Sequence, residues 1–547
     1  MFSRLKKKFK YWQLMSKANQ EKNSPPRKEK IPESTSELKE KLRQVFAECD
    51  DFRLREIIVG EKKFKLNIAF VDNLISRQAF NDNLLKPLMD PHLTALLPAD
   101  NQDKIIAYLK ENILNLAEIK EQTDFKESVQ NILNGESVIY IEGSSTALVA
   151  SIKGWEARTV QEPQTETVVR GPREGFVEDL GVNCALIRRK IRNPNLKMEL
   201  RKIGQKTGTN ICLCYLKGIA DEELINEVKK RISQINIDAV LESGYLEEMI
   251  EDNPFTFFPL IGNSEKPDIV AGKILEGRVA IVCDGTPFAL TVPYLFLETL
   301  QASEDYYTRS ITSSILRILR LVSLFISLLL PGLYVAFLNF HQAALPLNFL
   351  LTIAASREGV PFSPFTEALF MGLTFEILQE AGIRMPRPIG QAISIVGALV
   401  IGEASVRAGL VSDPMVIVTA ITAISTFILP PLQRMLPYFR LIFIILANIL
   451  GLLGMVLGLI AIITHMCALR SFGVPYLTPF APSSPLDMKD TLFRFPHWLM
   501  FTRPRALTWQ ETGRAKYRID LASSIKNKTN LENRKKMKND LAKNREG

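Results

Sequence analysis

Between Leu321 and Met466 charged side chains are missing over four long stretches, while on either side the apolar positions recur with the spacings of folded α and β elements. Crossing the hydrocarbon of a bilayer takes about 20 apolar residues. Leu321 to Ser356 is uncharged over 36 residues, and Pro388 to Gly402, Pro414 to Gln433 and Leu441 to Met466 follow. This pattern predicts about four spans. The first runs from Leu321 to Asn339 with a kink at Pro331-Gly332, the second from Pro388 to Leu410, the third from Pro414 to Leu432 and the fourth from Leu441 to Met466. Leu345 to Ser356 is too short to cross and is expected to be re-entrant or interfacial. Gly451, Gly454 and Gly458 place small residues along the fourth span for close helix packing.

Ahead of this block the pattern changes. FRLREIIV and FKLNIAFV flank Gly60 as a β-hairpin, and Ser137 to Ile141 with Ala147 to Ile152 read as a second one. Helices are expected from Ser36, after Asp72, over Asp103 to Leu116, and over Val182 to Lys190 and Lys197 to Lys202. NICLCYL, a helix over Asp221 to Gln234 and IDAVL suggest a βαβ unit, and RVAIVCD with Pro287 to Val292 a further strand pair. The fold class is therefore a cytoplasmic α/β N-terminal region of two mixed subdomains, residues 36–160 and 161–305, followed by an α-helical polytopic membrane domain, 306–470. A basic leader, 1–35, and a basic tail, 471–547, complete the chain.

Charge sharpens this division. The net charge of +9 is concentrated at the two ends: Met1 to Lys30 holds ten Lys/Arg against two acids, and Arg470 to Gly547 sixteen against seven. Everything between is net negative. Basic ends flanking a membrane domain suit anionic lipid, and FSRLKKKFKYWQLM interleaves bases with aromatics as an interfacial helix does. No basic surface with base readers suggests nucleic acid. The first 30 residues hold no apolar signal core, so the first large segment and the tail are expected in the cytoplasm. The six cysteines lack CxxC or CxxH spacing and the four histidines are scattered, which predicts reduced core thiols and no metal or other cofactor. No nucleophile and base pair or phosphate loop points to an enzyme.

Within the uncharged block a few polar residues carry the functional candidates. Glu367, Glu376 and Glu380 on the helix from Phe365 to Glu380 suit either a water-filled vestibule or a solvent face. On the second span, Gln391, Ser394, Ala398, Gly402 and Ser405 form one small face for helix packing. A second face carries Val396, Leu399 and Val400 with Glu403 and Arg407. Around a symmetry axis these would make a hydrophobic constriction and an acidic ring, a cation gate; otherwise Glu403 and Arg407 neutralise one another at i, i+4. In the soluble part, Arg170, Arg173 and Glu174 around Gly171-Pro172 are a candidate interface turn, against an ordinary surface loop.

Several long motifs, in order, resemble one family. EDNPFTFFPLIGNSEKPD, GRVAIVCDGTPFALTVPYLF, VVRGPREGF, REGVPF, TFEILQEAGIRMPRPIGQAISIVGALVIG and SFGVPYLTPFAP look like the A subunits of GerA-type spore germination receptors, over roughly residues 40 to 510. The resemblance implies a protein of the endospore inner membrane, working with a permease-like B subunit and a C-subunit lipoprotein. It also implies a homo-oligomeric ring that forms a nutrient-gated channel releasing monovalent cations, which makes the face with Val396, Val400 and Glu403 the preferred conduction face. Members commonly have an acid where Gly372 stands, and Gln with an uncharged or acidic residue where Glu403 and Arg407 stand. A non-conducting scaffold, or a stage V sporulation paralogue that amplifies ion release, is the alternative.

Overall fold

A computed structural model of the chain describes residues 29 to 504, apart from 61–63, 95–101, 117, 155–161, 164, 385–401, 485–486 and 501, together with 507. Helix α1 (Thr35–Val45) buries Leu38 and Leu42 one turn apart and leads into strands β1 (Phe52–Val59) and β2 (Phe64–Val71). After a helical layer come β3 (Ile119–Gln122), α2 (Phe125–Leu133), β4 (Ser137–Ile141) and β5 (Ala147–Ala150). The five strands form one antiparallel sheet in the order β1-β2-β4-β5-β3. Because side chains alternate along a strand, β2 sends Leu66, Ile68 and Phe70 into one apolar core and Ala69 and Val71 into another.

The second half repeats this plan. Helix α3 (Leu180–Lys190) precedes β6 (Leu196–Ile203) and β7 (Thr209–Leu216); α4 (Glu222–Gln234) and α5 (Ser243–Ile250) follow, then β8 (Gly262–Ser264), α6 (Pro267–Leu275), β9 (Val279–Cys283) and β10 (Ala289–Val292). The order β6-β7-β9-β10-β8 is that of the first sheet shifted by one set of strands. Even the register recurs: Tyr140 faces Ala147 across β4 and β5, and Val282 faces Ala289 across β9 and β10. The two hairpins read EGSSTALV and DGTPFALTV, a repeat visible in the sequence once it is sought.

Two expected elements differ. Lys197 to Lys202 lies inside strand β6, because Leu196, Met198 and Leu200 alternate with Lys197, Glu199 and Arg201 at a period of two that pairing with β7 exploits. IDAVL is not a strand and closes no parallel βαβ unit. It crosses the end of the β6-β7 hairpin, where the carbonyls of Ile237 and Asp238 accept from Gln205 and Lys206 and that of Val240 accepts from the Thr209 hydroxyl. The two halves meet at a buried ion pair, Arg188 donating to both carboxylate oxygens of Asp51 at 2.8 and 2.9 Å.

Then comes the helical region. Its described helices are α7 (Ser310–Asn339), α8 (Leu347–Ser356), α9 (Pro364–Arg384), α10 (Gly402–Arg407), α11 (Asp413–Phe427), α12 (Leu436–Leu450) and α13 (Leu452–Ala468). Among the described residues only α7 is both long and apolar enough to cross a bilayer; α8, α11, α12 and α13 are apolar but shorter. The fourth expected span is not one helix. At Gly451, φ +60° and ψ −139° reverse the chain, a conformation that glycine alone adopts without strain. α13 then packs back on α12, with Gly454 against Leu446 and Gly458 against Phe443, so the glycines are one turn and two contact points of a hairpin.

The hairpin also changes which end faces the α/β layers. Phe257 stacks on Tyr438 and Phe258 packs at a tilt on Phe439 at the start of α12, and Thr256 bonds to His465 near the end of α13. At the far end the Asn339 amide donates to Asn448 at 3.1 Å. The loop bearing Arg434, which a single fourth span would put on the opposite side from the α/β halves, therefore lies beside them, within electrostatic reach of Glu247.

Candidate functional site

Inside the helical region three ionic groups are buried, while much of the outward surface is apolar. Ile417, Ile421 and Ile424 of α11 and Leu453, Leu457 and Ile460 of α13 are exposed, whereas Arg317, Glu367 and Arg440 are buried. A buried charge must be paired and hydrogen-bonded, since an isolated one costs far more than packing returns. Each of these has such partners, and they join different helices.

Arg440 shows how the backbone builds the pairing. Pro331 sits inside α7 and has no N–H, so the carbonyl of Ser327 lacks its intrahelical donor. The Arg440 Nε donates to that carbonyl at 3.1 Å, while Nη2 donates to Thr426 Oγ1 at 2.9 Å and Nη1 to Glu376 Oε1 at 3.2 Å. One side chain thus ties α12 to α7, α11 and α9. A second layer lies nine residues earlier on α9, about 13.5 Å away at 1.5 Å per residue. There Glu367 accepts from the Ser412 N–H at 3.0 Å and hydroxyl at 2.7 Å and pairs with Arg357 at 2.9 Å. Its carboxylate sits at the N-terminus of α11, where unpaired N–H groups favour negative charge. Tyr334 and Ser412 hydroxyls, 3.3 Å apart, carry the contact to α7.

A third cluster joins the base of α7 to both flanks. Asp305 pairs with Arg317 at 3.0 Å and Arg320 at 2.8 Å, and Arg317 reaches Asp490 at 2.8 Å. Tyr306 donates to the other oxygen of Asp490 at 2.7 Å. Burial pushes the Asp490 carboxyl up, and Arg317 pulls it back. The segment after α13 is thereby strapped to the entry of α7. The candidate turn docks nearby: the backbone N–H groups of Val169 and Arg170 donate to Glu304, and a Cβ on Gly171 would come within 2.9 Å of the Tyr307 ring. Arg173 pairs with Glu162 at 3.1 Å, and Glu174 bridges Arg189 and Lys190 at 3.2 and 3.1 Å.

Of the other sequence candidates, Glu380 is exposed and pairs with Arg384 at 2.6 Å. Glu403 and Arg407 pair at 2.5 Å with side chains 54% and 77% exposed, at the edge of the helical region. Gly402 packs toward Val416, and Ser405 is buried. Gln391, Ser394, Val396, Ala398, Leu399 and Val400 lie outside the described residues. Glu367 is nearly solvent-free and Glu376 is partly exposed, so the three acids of α9 occupy three different environments. Sequence reasoning passed over Arg357, Ser412 and Arg440. For Arg440 a signal existed, because a proline inside an apolar helix announces a carbonyl needing an external donor.

Comparison with known proteins gives consistent results. Residues 40–506 match the family described as Bacillus/Clostridium GerA spore germination protein. The chain is 44% identical to spore germination protein KA of Bacillus subtilis strain 168 over 84% of each chain. It is 37% identical to spore germination protein GerLA of Bacillus cereus, over 87% of this chain and 96% of that one. The uncharacterized membrane protein YfkQ of Bacillus subtilis strain 168 is 42% identical over 83% of this chain and 88% of its own. Among solved structures, the N-terminal domain of the A subunit of the Bacillus megaterium spore germinant receptor GerK3 aligns at 31% identity with a TM-score of 0.40, covering 49% of this chain and 98% of that chain.

Proposed function

Because this chain belongs to the Bacillus/Clostridium GerA spore germination protein family, we propose that it is the A subunit of a nutrient germinant receptor, a multi-pass protein of the endospore inner membrane. In this reading it works with a permease-like B subunit and a lipoprotein C subunit, and copies of it assemble around a cation path. The observation that carries the membrane reading is the polarity of the helical region. Large apolar side chains on α7, α11, α12 and α13, among them Ile315, Ile417, Ile449 and Leu453, point outward, and contiguous exposed apolar surface marks an interaction or membrane face. Arg317, Glu367 and Arg440 turn inward, as charges do in hydrocarbon. Helices α12 and α13, about 22 and 25 Å long at 1.5 Å per residue, fall somewhat short of the hydrocarbon thickness of about 30 Å, a mismatch bilayers absorb by thinning.

The conduction reading rests on the edge position of Glu403 and Arg407, where a neighbouring copy could meet them. A second reading, a non-conducting relay, is favoured by the paired acids: Glu367 and Glu376 already have cationic partners and so offer a passing ion little. Potassium flux through liposomes holding the full chain separates the two. The channel reading expects flux that falls with Glu403→Gln, and Val396→Cys copies that cross-link to one another. Absence of flux from cross-linkable oligomers would leave the relay. Nutrient-triggered germination of spores carrying a deletion of this chain tests the receptor assignment itself; unchanged responses to every nutrient would refute it.

A further inference from the structure

Three thiols from two elements meet in the core of the second α/β half. Cys212 and Cys214 lie two apart on β7 and so point to one face, with sulfurs 3.7 Å apart; Cys184 reaches them from α3. All three sulfurs lie within 4.8 Å of one another, and all three residues are buried. Sulfurs around a trigonal ion at about 2.3 Å stand about 4 Å apart, which this spacing matches. Met198 of β6 is directly opposite Cys214 in the sheet, bringing a thioether to the same buried cluster.

An entrance leads to the thiols. A cavity of about 370 Å³ between the two halves is lined by Cys184, Met198 and Cys212, and Asp72, Asp179 and Asp284 line it too. Those carboxylates are engaged: Asp284 accepts from the Leu180 N–H, Asp179 from the Val182 N–H, and Asp72 pairs with Arg77. With Asp50 and Asp51 the lining holds five aspartates against Arg53 and Arg77, a net negative charge that concentrates cations, and the sulfurs supply the ligands.

We propose that Cys184, Cys212 and Cys214 bind one Cu(I) ion. Soft thiolate and thioether donors select Cu(I), and a structural zinc site would require a fourth ligand. Three thiols give up three protons to solvent and form three sulfur–copper bonds, leaving a net charge of −2 with no change of oxidation state. The sequence hid the site because only the C-x-C half is local; Cys184 arrives through the packing of α3 on β7.

The test uses the full chain in detergent, titrated without oxygen with Cu(I) against bicinchoninate. One ion per chain is expected, with a thiolate-to-copper charge-transfer band and an all-sulfur first shell in X-ray absorption. Cys184→Ser and Cys214→Ser should each weaken binding by more than roughly tenfold, the loss typical of an outer-shell partner alone. Cys283→Ser, in the core on the opposite face of the sheet, should leave binding unchanged. Since a serine in this core can unfold the domain, the first shell of the unsubstituted chain is an independent arm. Nitrogen or oxygen ligands there, no binding in competition, or full binding by a folded Cys184→Ser/Cys214→Ser chain would each overturn the proposal.

Discussion

Arg440→Met should destabilise the helical region by about 3–4 kcal/mol. The substitution keeps most of the apolar stem and removes the guanidinium, leaving the Ser327 carbonyl, the Thr426 hydroxyl and the Glu376 carboxylate without their donor. An unsatisfied buried polar group costs about 1–3 kcal/mol, and a broken buried ion pair about 3–5 kcal/mol. Glu376 retains 30% exposure, so water relieves part of its charge and the lower half of that range applies. Adding Glu376→Gln should return about 1–2 kcal/mol, because the orphaned charge is then gone. Pro331→Ala should also soften the loss, by about 1 kcal/mol, since an alanine N–H can serve the Ser327 carbonyl within α7. The assay is thermal unfolding of the full chain in nanodiscs, read as a double-mutant cycle. If Glu376→Gln and Pro331→Ala each add to Arg440→Met within about 0.5 kcal/mol of independence, the account of Arg440 is wrong.

Gly451→Ala should cost about 2–4 kcal/mol, the range of strained-backbone and overpacking effects together. It puts a Cβ at φ +60° and 2.8 Å from the His341 ring, and intramolecular cross-linking between α12 and α13 should fall with stability. Around α5, burial first and then Glu242 push the Glu247 carboxyl up to about 6 while Arg434 opposes; burial first and then Glu247, Glu248 and Asp252 push Glu251 up to about 7. The folded chain therefore holds protons that the unfolded chain has lost, so these groups reduce stability as pH rises from about 4.5 to about 7. Glu251→Gln should flatten the upper part of that slope in thermal unfolding; an unchanged slope would refute the assignment.

Much of the α/β half was legible because its signals are local. The hairpins around Gly60, Gly143 and Gly285 follow from alternation interrupted by turn residues, and the positive φ at each glycine is what such turns need. The failures were of competing periods. Leu196 to Ile203 alternates at two but holds enough charge to pass for an exposed helix, and only pairing with β7 decides between them. The helical candidates divide in the same way. Glu403 and Arg407 are four apart on one helix, so their pairing could be written from spacing alone. Glu367 with Ser412, and Glu376 with Arg440, are separated by 45 and 64 positions, and no periodicity reaches so far.

What the sequence determined by itself is composition in order: two α/β units, then an uncharged block, between basic ends. The motifs in that order were specific enough to point to the family. Tertiary structure alone decided that the last uncharged run is a hairpin, because 26 uncharged residues can equally form one long helix or two short ones, and the choice lies in the backbone angles of Gly451 and the contacts of Gly454 and Gly458. It also decided which charges are neutralised, since burial and partnership depend on distances across helices, and a chain read in one dimension carries only separations along itself.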